Sequence, residues 1–143
     1  MTYIGGALPG YEPDPLQIGL ACSNTMEPGS WERMEAPILS TQDEDARSFE
    51  KATLYKSTVI YDKERSLGAP YVMFYNAKQE GLWVERIGMA VSADMLHWKR
   101  YADGPVVQNA ARDIANIAGD PQLIRYEDLW VMHYFVAEGE GSQ

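Results

Sequence analysis

The sequence predicts an all-β protein built from four-stranded antiparallel blades of a β-propeller. Its candidate strands are short, rich in Val, Ile, Tyr and Trp, and separated by Gly, Pro, Asp and Asn, as in antiparallel hairpins. No stretch shows helical periodicity of useful length. A pattern also recurs along the chain at offsets of 67 to 69 residues, and a repeat of about this length with four strands is typical of a propeller blade.

The repeat is visible in two segments. Residues 18–39 read IGLACSNTMEPGSWERMEAPIL, and residues 87–107 read IGMAVSADMLHWKRYADGPVV. Both copies contain Ile-Gly-x-Ala-x-Ser, a polar turn with a Met, a Trp near basic residues, and a Pro before two apolar residues. The equivalent positions are Ile18 and Ile87, Ser23 and Ser92, Trp31 and Trp98, and Pro37 and Pro105. We interpret the repeat as scaffold and expect both tryptophans to pack between neighbouring blades.

One complete repeat is predicted to contain four strands. Their sequences are KSTVIYD at 56–62, PYVMFYN at 70–76, RIGMAVS at 86–92, and a fourth strand near 98–104. The segment WVMHYFVA at 130–137 resembles the second of these strands, and GDPQLIRYED at 119–128 resembles the first. Residues 109–118 are short and end before a Gly, which predicts a loop or a single turn.

This order of strands predicts one partial propeller domain over residues 1–143. Most of one blade is expected in residues 1–50, a complete blade in 51–110, and the first half of the next blade in 111–143.

Composition narrows the classes of partner. The net charge of −9 argues against nucleic acid, which requires a basic face. No run of 18 apolar residues is present, so we expect a soluble protein without a membrane partner. The first residues lack the pattern of a signal peptide, and the sequence does not indicate a cellular compartment. Cys22, the single cysteine, lies in a strand-like run and is predicted to be a small buried hydrophobic residue.

Three segments resemble the five-bladed β-propeller glycosidases of the group around glycoside hydrolase families 43 and 32, to which the family 130 mannoside phosphorylases are related. They are residues 72–76, which read VMFYN, residues 87–99 with Ser-x-Asp-Met-x-x-Trp, and residues 104–107. The resemblance covers most of the chain. It implies an incomplete five-bladed propeller with an oligosaccharide or glycoside in the central channel. It implies no cofactor, although a channel calcium is possible by analogy with the family.

The resemblance also suggests catalytic residues. In the segment GDPQLIRYEDLWVMHY, an Asp-Pro opens the innermost strand of a blade, which makes Asp120 a catalytic candidate facing the channel. The alternative for Asp120 is an ordinary turn residue before a proline. Lys56 occupies the equivalent place one blade earlier, where it would contact a substrate hydroxyl or pair with Asp120. Glu50, on the approach to the same strand, is the second catalytic candidate.

Further residues are predicted to bind substrate. Glu85 and Arg86 lie at the mouth of a strand and would contact a sugar, or else form a solvated charge pair. Arg112 and Asp113 lie in a loop of the kind that borders a site face. The loop at 6–17 contains three prolines and suits a lid or subsite wall, or a plain hairpin loop. If the chain only binds carbohydrate, the aromatic residues expected to stack on sugar rings around the channel are Trp83, Tyr55 and Tyr126.

Three interpretations of function remain open. Glycoside hydrolysis needs two carboxyl groups at a controlled separation, and the number of repeats predicts that part of the catalytic set lies outside this chain, as in a fragment. A second possibility is that two copies associate through open blade edges and complete a ring. The third is a carbohydrate-binding or structural propeller piece without catalysis. A phosphorylase would in addition need an anion pocket, for which Lys56, Arg86 and Arg112 are the candidate cations.

Overall fold

A computed structural model describes residues 1–81, 84–107 and 116–138. These residues form β-strands and one 3-10 turn, at Ser48–Glu50, so the predicted all-β class is confirmed. Within these ranges no helix is long and apolar enough to cross a membrane. The strands are β1 (Thr2–Gly5), β2 (Gln17–Cys22), β3 (Glu32–Arg33), β4 (Thr53–Tyr61), β5 (Tyr71–Lys78), β6 (Val84–Ser92), β7 (Trp98–Arg100), β8 (Asn116–Tyr126) and β9 (Leu129–Glu138).

The strands are arranged in two sheets. The first has the order β1-β2-β3, and the second has the order β4-β5-β6-β8-β9, with β7 also paired to β6. Strands β4 to β7 are consecutive and antiparallel, as the sequence predicts. Strand β8 differs because it joins β6 in parallel, through Val84 opposite Asn116 and Glu85 opposite Ile117. The pair β8–β9, expected to begin the next blade, therefore belongs to the same hydrogen-bonded sheet.

The sequence repeat is also a repeat of structure. Ile18 forms an isolated bridge with Leu39, and Ile87 forms the equivalent bridge with Val107. Tyr3 lies opposite Gly19 in the first sheet, as Tyr75 lies opposite Gly88 in the second. A Cβ atom would lie 2.4 Å from the ring of Tyr3 at Gly19 and 2.5 Å from the ring of Tyr75 at Gly88. Glycine is required at both positions because each ring lies directly on the backbone of the neighbouring strand.

The hydrophobic core is shared by both sheets. It consists of Ile18, Leu39, Phe49, Leu54, Met73, Tyr75, Ala77 and Ala90. Trp98 packs against this core, whereas Trp31 is 37 % exposed and lies just before β3, a strand of only two residues that are both exposed. Cys22 is likewise exposed, so the prediction that it is buried is wrong. It is the last residue of β2 and lies just beyond the four buried residues of that strand.

Candidate active site

Asp120 occupies a backbone position that few residues other than glycine adopt. Strand β8 has a bulge between Gly119 and Gln122, and Asp120 within it has a φ of +52°. A left-handed conformation at a residue with a side chain costs on the order of 1–3 kcal/mol and occurs preferentially at functional sites. Bulges also redirect side chains. The Asp120 side chain remains 38 % exposed and is therefore accessible to a ligand.

Asn76 connects Asp120 to a second carboxyl group. Its side-chain oxygen accepts a hydrogen bond from the backbone N–H of Asp120 at 2.8 Å. Its Nδ2 lies 3.4 Å from Oδ1 of Asp120 and 3.4 Å from Oε2 of Glu85. Because both oxygens contact the same nitrogen, they lie no farther apart than twice that distance. The buried amide of Asn76 thus contacts both carboxyl groups and keeps them close to each other.

Gly119 makes this arrangement possible. A Cβ atom at position 119 would lie 2.5 Å from Nδ2 of Asn76, which is closer than van der Waals contact allows. Any side chain there would displace the amide from one or both carboxyl groups. The glycine before Asp120 is therefore part of the geometry of the site.

Lys56 forms an ion pair with Asp120, one of the two arrangements that the sequence predicts. Its Nζ lies 3.2 Å from Oδ2 of Asp120, and its side chain is 55 % exposed. The hydrogen bond to Asp120 raises the pKa of Lys56, against a smaller opposing effect of burial. An ion pair this exposed contributes only about 0–1 kcal/mol to stability. Lys56 can therefore exchange its contact with Asp120 for a ligand oxygen at little cost.

Glu85 is in a different environment from Asp120. It lies near the start of β6, is half-buried, and lies opposite Lys78 in the backbone register of β5 with β6. Burial is the main reason that the pKa of Glu85 is raised, and the charge of Asp120 raises it further, while the bond from Asn76 lowers it. Glu85 therefore keeps its proton to a higher pH than a free glutamate does, which is a property of a proton donor. Glu85 and Arg86, for which a solvated charge pair was the alternative prediction, are both half-buried.

Arg86 and Tyr55 adjoin this group. Arg86 donates a hydrogen bond from Nη1 to the backbone oxygen of Glu85 at 2.9 Å, and burial lowers its pKa. Tyr55 is buried, and burial is the main reason that its pKa is raised, with smaller effects from Asp14, Glu85 and Glu12. A ring only 8 % exposed cannot stack on a sugar, so the predicted stacking role of Tyr55 is not supported.

Glu50 does not lie in this cluster. Its side chain is fully buried and accepts hydrogen bonds from Nε of Arg100 at 2.9 Å and from the Tyr75 hydroxyl at 2.8 Å. Arg100 is bound in turn by Asp43 and Asp45, at 2.6 and 2.8 Å. These contacts are those of a structural carboxylate enclosed by the protein. We therefore assign Glu50 a structural role in our proposals.

The remaining predicted residues fall elsewhere. Arg112, Asp113 and Trp83 lie outside the described residues. Tyr126 is 59 % exposed at the end of β8, about 20 Å along the strand from Asp120 at roughly 3.3 Å per residue. It is therefore not part of the Asp120 cluster.

Asn76, Lys78 and Asp14 are site residues that the sequence analysis missed. Lys78 forms an ion pair with Asp14 at 2.7 Å, which brings the loop before β2 to this end of the sheet. One signal for Asn76 was available. Asparagine is depleted in strands, and Asn76 follows the apolar run of β5, so a specific polar partner was to be expected.

Among residues 1–81, 84–107 and 116–138, no three His, Cys, Asp or Glu side chains are grouped so as to hold a metal ion.

Comparison with known proteins identifies the fold. No protein-family model and no curated protein matches the chain. A solved structure named "Glycoside hydrolase" superposes with a TM-score of 0.86 at 45 % identity over 95 % of this chain. A second, named as a complex of BT0996 and RGII, superposes with a TM-score of 0.86 at 46 % identity, also over 95 %. The chain spans about 40 % of the length of each. It therefore has a glycoside hydrolase-like fold.

Proposed function

We propose that this chain forms a glycan site of the glycoside hydrolase type, centred on Asp120 and Glu85. The observation that carries the proposal is the amide of Asn76, which contacts both carboxyl groups and holds them near each other. Similarity to a structure named "Glycoside hydrolase" at 45 % identity supports the same class of ligand.

The two carboxyl groups suit different tasks in cleavage of a glycosidic bond. Such cleavage uses one carboxylic acid to protonate the leaving oxygen and one carboxylate to stabilise or attack the positively charged sugar, directly or through water. Glu85, whose pKa is raised mainly by burial, is suited to donate the proton. Asp120, paired with the Lys56 ammonium group and open to solvent, is suited to act as the carboxylate.

We propose that the architecture is a five-bladed propeller of the family 43 and 32 type, with the glycan in its central channel. This chain would contribute to three successive blades, through residues 1–50, 51–110 and 111–143. The repeated bridges at Ile18 and Ile87 support this proposal, because they give two sheets the same local construction. Arg112 and Asp113, which precede β8 in the sequence, remain proposed substrate contacts.

Assays of binding and turnover test the proposal. Wild-type protein would be titrated with a panel of monosaccharides and oligosaccharides and assayed on aryl glycosides. We expect Asp120→Asn and Glu85→Gln to lower turnover by about 10²–10⁴-fold if the chain hydrolyses a glycoside. Asp128→Asn, a fully exposed acid on the same hairpin, is the matched control and should behave as wild type.

The outcomes separate the alternatives. Binding that depends on Asp120 without turnover would favour a non-catalytic carbohydrate-binding role. Cleavage that requires inorganic phosphate would favour a phosphorylase. If no glycan binds and none is cleaved, the proposal is wrong and a structural role remains.

We also propose self-association through β9. This strand lies at the edge of its sheet. Between Leu129 and Ala137 its only side chains that can ionise are those of His133 and Tyr134. Leu129 and Val136 are 64 % and 51 % exposed. Residues 129–137 of this strand contain no carboxylate, lysine, arginine or proline, and an edge of this kind favours pairing with another strand. Light scattering should detect a dimer that Val136→Lys converts to a monomer, whereas a wild-type monomer at about 100 μM would contradict this.

A further inference from the structure

A proline-rich loop at residues 6–16 is fixed beside the candidate active site. The backbone N–H of Leu16 donates to Oγ1 of Thr53 at 2.6 Å, and the oxygen of Leu16 accepts from the N–H of Leu54 at 3.1 Å. Farther out, Oδ2 of Asp14 lies 2.7 Å from Nζ of Lys78. These contacts attach the loop to the start of β4 and the end of β5, where the site lies.

The loop is also folded back on itself. A Cβ atom at Gly6 would lie 3.0 Å from the backbone oxygen of Pro15 and 3.6 Å from that of Pro13. The loop contains a third proline, Pro9, and each ring fixes one backbone dihedral angle. Little conformational entropy remains to be lost when such a loop contacts a ligand.

Tyr11 stands at the tip of this loop. It is 91 % exposed, and its neighbours Gly10 and Glu12 have φ values of +127° and +46°. The two residues with positive φ form the turn that presents the tyrosine outward. A large aromatic side chain this exposed makes almost no packing contribution to the loop, so packing does not explain its presence there.

Two observations place the tip near the carboxyl pair. Lys78, which holds Asp14, lies directly opposite Glu85 in the pairing of β5 with β6. In addition, the negative charge of Glu12, the neighbour of Tyr11, contributes to the raised pKa of Lys56, whose main cause is the bond with Asp120. The tip is thus within electrostatic reach of the lysine that pairs with Asp120.

We propose that Tyr11 is an aromatic platform for a sugar ring adjacent to the ring held by Asp120 and Glu85. One face of a pyranose ring carries mainly C–H groups, and a rigid, exposed phenol ring can cover that face while its hydroxyl stays in water. The ligand is then an oligosaccharide of at least two rings. This inference rests on the proposed function of the Asp120 site.

The test compares oligosaccharides with monosaccharides. Wild type, Tyr11→Ala, Tyr11→Phe and Tyr126→Ala would be titrated with immobilised oligosaccharides and with the monosaccharides from which they are built. We expect Tyr11→Ala to weaken oligosaccharide binding at least about tenfold and to leave monosaccharide binding unchanged. Tyr11→Phe should retain most of the affinity, and Tyr126→Ala, an exposed tyrosine far along β8, should match wild type.

A second measurement needs neither a variant nor turnover. Hydroxyl-radical footprinting with mass spectrometry should show Tyr11 protected by an oligosaccharide and unprotected by a monosaccharide. If wild type binds oligosaccharides but Tyr11→Ala has the same affinity and Tyr11 is not protected, the platform is wrong while the Asp120 site stands. If wild type binds no sugar, or if Asp120→Asn binds as well as wild type, the proposed function fails and the platform fails with it.

Discussion

Arg100→Met should destabilise the protein severely, because Arg100 neutralises a carboxylate that has no access to water. The Arg100 side chain is 1 % exposed, and Glu50 is 0 % exposed. Besides Glu50, Asp43 and Asp45, the guanidinium also donates to the backbone oxygen of Ser40 at 2.7 Å. Removal of one partner of a buried ion pair costs about 3–5 kcal/mol. That is a large fraction of the stability of a typical domain, about 5–15 kcal/mol.

Equilibrium urea unfolding measures this loss. With a slope of about 1–3 kcal/mol per molar urea, a loss of about 3–5 kcal/mol lowers the midpoint by roughly 1–5 M. The repeat offers a matched control in Arg33. Arg33 lies opposite Ala21 in the first sheet, just as Arg100 lies opposite Ala90 in the second. Arg33 differs in being exposed. Arg33→Met should change stability by about 0.5 kcal/mol or less.

A double variant isolates the charge of Glu50. Arg100→Met combined with Glu50→Met removes both partners, and an apolar pair of similar volume should be more stable than the single variant Arg100→Met. The reasoning is refuted if Arg100→Met costs less than about 1 kcal/mol, or no more than Arg33→Met. In that case the stability of the protein does not depend on neutralisation of Glu50 by Arg100.

Two further predictions concern the glycine contacts and the titration of Glu85. Gly88→Ala should destabilise the protein by about 1–3 kcal/mol, because the new Cβ would collide with the fully buried ring of Tyr75. Gly19→Ala should destabilise it less, because the ring of Tyr3 is only half-buried and can move. Thermal unfolding of the two variants tests this difference, and equal losses of stability would contradict it. Because the pKa of Glu85 is raised in the folded protein, the contribution of Glu85 to stability is fully present at a pH below its pKa in the unfolded chain. That contribution is lost as the pH rises through its pKa in the folded protein. Glu85→Gln should remove this pH dependence, so urea unfolding should show the variant gaining stability relative to wild type as the pH rises from 4 to 8; a variant that loses stability relative to wild type over that range would contradict the reasoning.

The sequence predicted the strands and the encounter of Lys56 with Asp120 because both follow from the repeat. Strands of the same kind recur at a constant spacing, so residues at equivalent places in β4 and β8 lie near each other. Strand alternation and turn residues are local properties of a sequence. They could be recognised without knowledge of the three-dimensional packing.

The roles of Glu50 and Asn76 could not be predicted in the same way. Glu50 is separated from Arg100 by 50 residues, and nothing near it in the sequence indicates that an arginine from β7 neutralises it. Asn76 contacts Asp120 from a position 44 residues away. Burial of a polar side chain depends on partners supplied by other strands, so a single sequence shows the group without showing what satisfies it.

The absence of a side chain at position 119 has a consequence for the tolerance of this chain to mutation. The φ of Gly119 lies outside the range reserved for glycine, so its backbone would accept other residues. The restriction comes from its neighbours, above all Asn76, whose amide occupies the space of the missing Cβ. In a saturation library scored for ligand binding, position 119 should therefore be as intolerant as Asp120 itself, although glycine offers a ligand no functional group.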